Sequence, residues 1–199
     1  MKKYIIIAGV PRAGKSTISK LIAKKFGYQH ISMDSIIAGI EKTFPETGVD
    51  TGSEIGFVDN IRYISSKMSP FIKAMMDSGE YDECDYGVVI DMYQILPCDF
   101  MTYIDQGKCD LFYFINSDVT AEERLKLLYD FDTPEDYSYH KSDSYKVEMC
   151  EEIVEVSHLF ENECKKHGIQ YFHTSHKRND VIDSFIDGIE ASVIKRGMD

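Results

Sequence analysis

Residues 8–17 read AGVPRAGKST, between the apolar run Tyr4-Ile5-Ile6-Ile7 and the stretch Ile18-Ser19-Lys20-Leu21-Ile22-Ala23. Within it, Gly9-Val10-Pro11-Arg12-Ala13-Gly14-Lys15-Ser16 satisfies G-x-x-x-x-G-K-[ST]. Glycines at both ends let the backbone turn tightly, so that successive N–H groups converge as a nest for an anion. A helix beginning near Lys15 directs its positive end at the same point. Lys15 can then reach the β- and γ-phosphates of a nucleotide, and the Ser16 hydroxyl can ligate Mg²⁺. A plain glycine turn from strand to helix needs neither the lysine nor the hydroxyl. The stretch therefore reads as a phosphate-binding loop, with Pro11, Arg12, Ala13 and Thr17 beside the glycines, Lys15 and Ser16.

Outward from this loop, apolar β-branched runs alternate with helix-period stretches, the pattern of a parallel sheet wrapped by helices. Strands are expected at Tyr4–Ala8, Gln29–Ile31, Gly87–Ile90, Leu111–Ile115 and Ile169–Phe172. Their continuous apolar character suits a sheet covered on both faces. Helices are expected at Lys15–Phe26, Ser35–Glu41, Ile55–Met76 with a bend near Pro70, Asp118–Leu128 capped by Asp118 or Thr120, Val147–His167, and Asp180–Lys195. Thr43–Ser53, with Pro45, Gly48 and Gly52, reads as an exposed loop. Asp130–Lys146, DFDTPEDYSYHKSDSYK, is polar, tyrosine-rich and without apolar periodicity. Long irregular segments of this kind are lids or disorder. The organisation expected is one domain over residues 1–199 with a flap at about 129–146.

The 199 residues carry a net charge of −12, which argues against a nucleic-acid partner because no basic surplus exists to displace counterions. The five cysteines are scattered and form no Cys-x-x-Cys pair, so they read as reduced thiols. His173 and His176 lack the companions of a zinc site. No apolar run approaches a membrane span, and the expected location is the cytoplasm. Oligomeric state is left open.

Two carboxylates stand where strands end. Asp34 follows the second strand, where ligands of open α/β sheets gather, and could take the proton of an attacking hydroxyl. It could equally cap the helix Ser35–Glu41. Asp91 follows Gly87-Val88-Val89-Ile90 and looks like a carboxylate that holds Mg²⁺ through water, or a strand-end cap.

With these motifs the chain resembles the P-loop small-molecule and nucleoside-phosphate kinases, of the adenylate kinase, shikimate kinase and chloramphenicol phosphotransferase kind. The resemblance runs along nearly the whole length, but only the P-loop is specific. It implies an α/β/α three-layer fold around a five-stranded parallel sheet ordered 2-3-1-4-5, ATP at the P-loop, and a lid after strand four, where Asp130–Lys146 falls. Relatives follow the Asp91 position with glycine, an aromatic residue and proline, whereas DMYQILP keeps Tyr93 and Pro97 but has Met92. The arginines are only Arg12, Arg62, Arg124, Arg178 and Arg196. By resemblance, Arg124 enters the lid and either closes on the phosphates or stacks near the adenine, Arg62 faces substrate along with Tyr93, and Arg178 with Asn179 lies near the adenine.

The resulting expectation is an ATP- and Mg²⁺-dependent transfer of a phosphoryl group to a small hydroxylated acceptor. Lys15, Asp34 and Arg124 would be catalytic, and Ser16 and Asp91 would hold the metal. A nucleoside monophosphate kinase is the alternative, weakened because the flap carries Lys141 and Lys146 among many acids and no arginine. A GTPase would need an Asn-Lys-x-Asp motif, which the sequence lacks. A P-loop protein that binds nucleotide without chemistry is the third reading.

Overall fold

A strand as apolar as Tyr4-Ile5-Ile6-Ile7 can be buried along its whole length only in the middle of a sheet covered on both faces. The computed structural model, which describes residues 2–52 and 55–196, places it there. β1 (Tyr4–Gly9) pairs in parallel with β3 (Val88–Met92) on one side and with β4 (Cys109–Ile115) on the other. β2 (Gln29–Ser32) and β5 (Gln170–His173) form the edges, so the five strands run in the order β2-β3-β1-β4-β5, as expected. The chain leaves β1 toward one edge and returns from β3 to the other. The C-terminal end of β1 is thus the switch point of the sheet, where a crevice opens.

Seven helices complete the described chain: α1 (Lys15–Phe26), α2 (Met33–Thr43), α3 (Phe57–Asp77), α4 (Pro97–Tyr103), α5 (Ala121–Phe131), α6 (Asp143–His167) and α7 (Arg178–Arg196). A short 3₁₀ turn, Pro45–Thr47, sits in the loop expected over Thr43–Ser53; Ser53 itself lies outside the described residues. None of the described helices is long and apolar enough to cross a membrane.

Several boundaries differ from expectation for local reasons. α3 stays one helix through Pro70, because its buried face of Ile61, Ile64, Met68 and Ile72 outweighs the lost hydrogen bond and ring clash of an internal proline, together about 3 kcal/mol. α4 was not foreseen; it is short, with Pro97 in its first turn and Pro97 and Phe100 as its buried residues. α5 is capped by Thr120 in a reciprocal pair with Glu123, while Asp118 accepts instead from the Ser175 hydroxyl at 2.6 Å. α6 begins at Asp143, capped by Ser142, so the irregular stretch expected over Asp130–Lys146 shrinks to residues 132–142.

Gly9 tests the junction of β1 and the loop. Its φ is 132°, and a Cβ there would lie 1.9 Å from the Phe114 carbonyl oxygen, which also accepts from Val10 N–H at 3.1 Å. A backbone atom of the neighbouring strand cannot give way cheaply. Gly9→Ala should therefore lower stability by about 3 kcal/mol or more, read as a shift of the urea midpoint at unchanged slope.

Candidate active site

Between β1 and α1 the chain takes positive φ at Gly9, Arg12 and Gly14 (132°, 65° and 96°), which curls the loop into a cradle. Gly14 caps α1 without any side-chain hydrogen bond, and the first turn of α1 holds no acidic residue. The first-turn amides are therefore available to an anion. Lys15 is buried and donates to the Val10 carbonyl at 2.9 Å, with its ammonium 5.7 Å from the centre of the Tyr93 ring. Burial pulls its pKa below the ordinary lysine value, against the opposing pull of Asp34 and Asp91. Phosphate oxygens would supply the missing counter-charge.

Ser16 donates to Asp91 Oδ2 at 2.5 Å, and His30 Nε2 lies 2.7 Å from Asp91 Oδ1. Asp91 is only 1% exposed. Register explains the contact: within β3, Asp91 is level with Ile7 of β1 and Ser32 of β2, just short of the cradle. A hydroxyl beside a carboxylate is a hard-oxygen pair of the sort Mg²⁺ accepts, since that ion keeps several waters and takes phosphate oxygens too. Among the described residues no cluster of three or more His, Cys, Asp or Glu could hold a metal by itself. The pair therefore fits an ion brought in with a nucleotide rather than a caged structural metal.

Asp34 lies in the first turn of α2, not at its cap, which is Ser32. Its carboxyl is open to water yet closely surrounded by protein. That enclosure raises its pKa, Lys15 draws it back down, Asp91 adds to the rise, and the Tyr93 backbone N–H donates to it.

Two cavities flank these groups. One, of about 300 Å³, is lined by Arg12, Arg124, Phe131, Lys177, Arg178 and Asn179 among others. Arg124 is buried there and its Nε has no hydrogen-bond partner among the described residues. Burial lowers its pKa, Cys150 opposes this, and the charges of Arg12 and Arg178 lower it further. Three guanidiniums so close together form an anion-seeking corner in an acidic protein. Arg12 is already paired, with Asp132 at 3.0 Å and with Asp136, whose carboxyl it holds well below the usual range. The second cavity, about 390 Å³, is lined by Asn60, Tyr93, Gln94, Tyr145, Glu148 and Glu152 among others. Tyr93 is the wall between the halves: its ring lies under Lys15, its N–H reaches Asp34, and its hydroxyl donates to Glu152 at 2.7 Å.

Solved structures share the fold that holds these groups. A shikimate kinase from Acinetobacter baumannii in complex with shikimate superposes with a TM-score of 0.56 at 14% identity, over 96% of this chain and 95% of that one. A shikimate kinase from Bacteroides thetaiotaomicron gives 0.55 at 18% identity, over 97% and 99%. The fold is that of the P-loop kinases. In sequence, an adenylate kinase of Clostridium botulinum is 32% identical over 87 residues, 44% of this chain. The match spans only 38% of that relative's length. No family model matches the chain.

Within the P-loop kinase fold the expected residues divide. Gly9, Pro11, Arg12, Ala13, Gly14, Lys15, Ser16 and Thr17 form the cradle and the start of α1, while Arg12, Arg124 and Arg178 share the first cavity. Arg12 differs from the expectation in that its guanidinium is spent on residues 132–142. Tyr93 lines the second cavity, but Arg62 is exposed on α3 and does not. The reading of Asp34 as a cap and of Asp91 as a residue beyond its strand are both corrected. Sequence reasoning missed His30, Gln94, Glu148 and Glu152. Only the last two left a trace, in the spacing Tyr145, Glu148, Met149, Glu152, which keeps one face of a helix.

Proposed function

We propose that the protein is an ATP- and Mg²⁺-dependent kinase acting on a hydroxyl of a small molecule. The observation that carries this reading is the loop cradle with Lys15 buried in it against Tyr93, a residue that also lines the second cavity. A γ-phosphoryl group held in the cradle lies beside the groups an acceptor hydroxyl needs. Asp34 takes the proton of that hydroxyl as its oxygen bonds to phosphorus and the bond to the β-phosphate oxygen breaks. Lys15 and Arg124 stabilise the charge that spreads over the transferring oxygens. Mg²⁺, held by Ser16 and through Asp91, would neutralise charge on the β- and γ-phosphates when bound. The segment around residues 129–146 serves as the lid of a single domain over residues 1–199, and Arg12 and Arg124 on its inner side keep water from the phosphates.

A nucleoside monophosphate as acceptor is disfavoured, because among the described residues no lysine or arginine lines the second cavity to clamp its phosphate. Shikimate, held by one structural relative, is a carboxylate and meets the same objection. ADP release from ATP, measured with and without a panel of hydroxylated acceptors, tests the proposal. No ATP binding and no turnover with any acceptor would overturn it.

Metal dependence gives a second test. Ser16→Ala and Asp91→Asn should each raise the Mg²⁺ requirement roughly ten- to a hundredfold. Since both act on one ion, their combined effect should fall short of the product of the single effects. Full activity in excess chelator would contradict the assignment.

A further inference from the structure

We infer that the acceptor taken by this site carries a cationic amine beside the hydroxyl that is phosphorylated. This rests on the kinase reading above and narrows it to one class of substrate.

The first ground is the charge of the second cavity. α6 turns Tyr145, Glu148, Met149 and Glu152 toward it on one stripe, and α3 contributes Asn60. Among the described residues no lysine, arginine or histidine pairs with Glu148 or Glu152, and the nearby cations are committed elsewhere. Lys146 donates to the Tyr139 carbonyl at 3.1 Å and faces Asp132, Lys15 is held on Val10, and Lys141 stands over the Tyr145 ring, 5.2 Å from its centre. Surrounding surface gives no relief in a chain of net charge −12.

Gln94 supplies an independent ground. It is 8% exposed, lines the same cavity, and its buried amide oxygen has no hydrogen-bond partner among the described residues. A buried carbonyl oxygen of this kind needs an N–H or O–H donor. Taken with the two glutamates, the wall is rich in acceptors, and an ammonium brings three donors and no acceptor. Lys15 already lies over the Tyr93 ring and Lys141 over the Tyr145 ring, so the carboxylates and Gln94, not the aromatic faces, select the cation.

The occupant is organic rather than a metal ion, since no cluster of three metal-ligating side chains exists among the described residues. At about 390 Å³ the cavity suits a metabolite-sized amino alcohol, amino sugar or aminocyclitol. Burial raises the Glu152 carboxyl, the Tyr93 hydroxyl lowers it, and Glu148 and Glu155 raise it further. A bound ammonium favours its charged form. The amine is not altered in the reaction: the hydroxyl proton passes to Asp34, the O–P bond forms, and ADP leaves.

The test uses the full chain with ATP and Mg²⁺ and three matched sets of acceptors. These are glucosamine, N-acetylglucosamine and gluconate; 2-amino-1,3-propanediol, glycerol and glycerate; and 2-deoxystreptamine, myo-inositol and quinate. ADP formation is measured for each, and binding is measured by calorimetry on protein saturated with a non-hydrolysable ATP analogue. In at least one set the amine should bind or turn over about tenfold or more better than its neutral and acidic counterparts. Glu148→Gln combined with Glu152→Gln should erase that preference, with analogue binding to the variant confirming its fold. The inference is overturned if neutral or acidic members do as well as the amines, or if the preference survives in the double variant. It is also overturned if the analogue binds but no amine binds at about 10 mM. Failure of the analogue itself to bind would instead remove the kinase reading.

Discussion

Lys15→Ala should cut turnover roughly a thousandfold, the scale of losing a fixed charge at a transferring phosphoryl group, while leaving the melting temperature nearly unchanged. The asymmetry follows from where the ammonium sits. Its burial is costly, its one hydrogen-bond partner among the described residues is the Val10 carbonyl, and the carboxylates of Asp34 and Asp91 only partly offset the desolvation. Removing it deletes that cost along with one hydrogen bond, so the fold loses little. The cradle loses the ammonium buried within the loop, the charge placed to meet the transferring phosphate. Steady-state kinetics beside calorimetric unfolding would check both halves. Unaltered affinity and turnover would take away the basis of the kinase reading.

Asp34→Asn should keep ATP affinity and lower turnover with the true acceptor by roughly a hundred- to ten-thousandfold, the usual contribution of a positioned base. Because Asp34 lies inside the first turn of α2 and not at its cap, no loss of helix capping competes to explain such a result. The pH profile gives a second readout. Asp34 must be ionised to take a proton, and its enclosure raises its pKa. Activity of the native protein should therefore climb with pH through a range above that of an ordinary aspartate and level off once the carboxyl is ionised. The asparagine variant should lack that acid limb. Near-native turnover with saturating substrate would retire Asp34 from the chemistry.

The nucleotide side of this site was readable from the chain because its chemistry is local. A cradle built from Gly9, Gly14, Lys15 and Ser16 lies within one turn, and its flanking strand and helix announce themselves by apolar spacing. The parallel sheet followed from the same alternation, and its strand order from the resemblance alone. The acceptor side was not readable in that way. Glu148 and Glu152 stand on a helix far along the chain from Tyr93 and Gln94, and only the packing of α3 and α6 beside the end of β3 brings them together. His30 reaches Asp91 through strand register alone. Arg62, assigned to substrate by its position after the acceptor loop, points to solvent because the cavity lies against another face of α3. α4 escaped because seven residues are too few to show a period.

The pairing of Arg12 with Asp132 and Asp136 has a consequence for the order in which the molecule assembles. Arg12 and Asp136 are 124 positions apart, so their contact must wait until β1 and β4 have met and brought the two ends of that span together. Residues 132–142 make no helix or strand of their own; Arg12 grips them ionically from across the sheet, while Lys146 and Met149 of α6 hold them locally. The stretch is thus a late arrival in folding and can be the first to detach, without the central strands parting. Its grip nonetheless holds in mild acid. The carboxyl of Asp136 is stabilised in its ionised form well below the ordinary aspartate range, so the contribution is present at neutral pH and is lost only as pH falls through that depressed value. Salt weakens it little, since Arg12 and Asp132 are largely shielded from water. What can loosen it is a rival anion for the same guanidinium, and Arg12 is itself part of the cradle that would receive one.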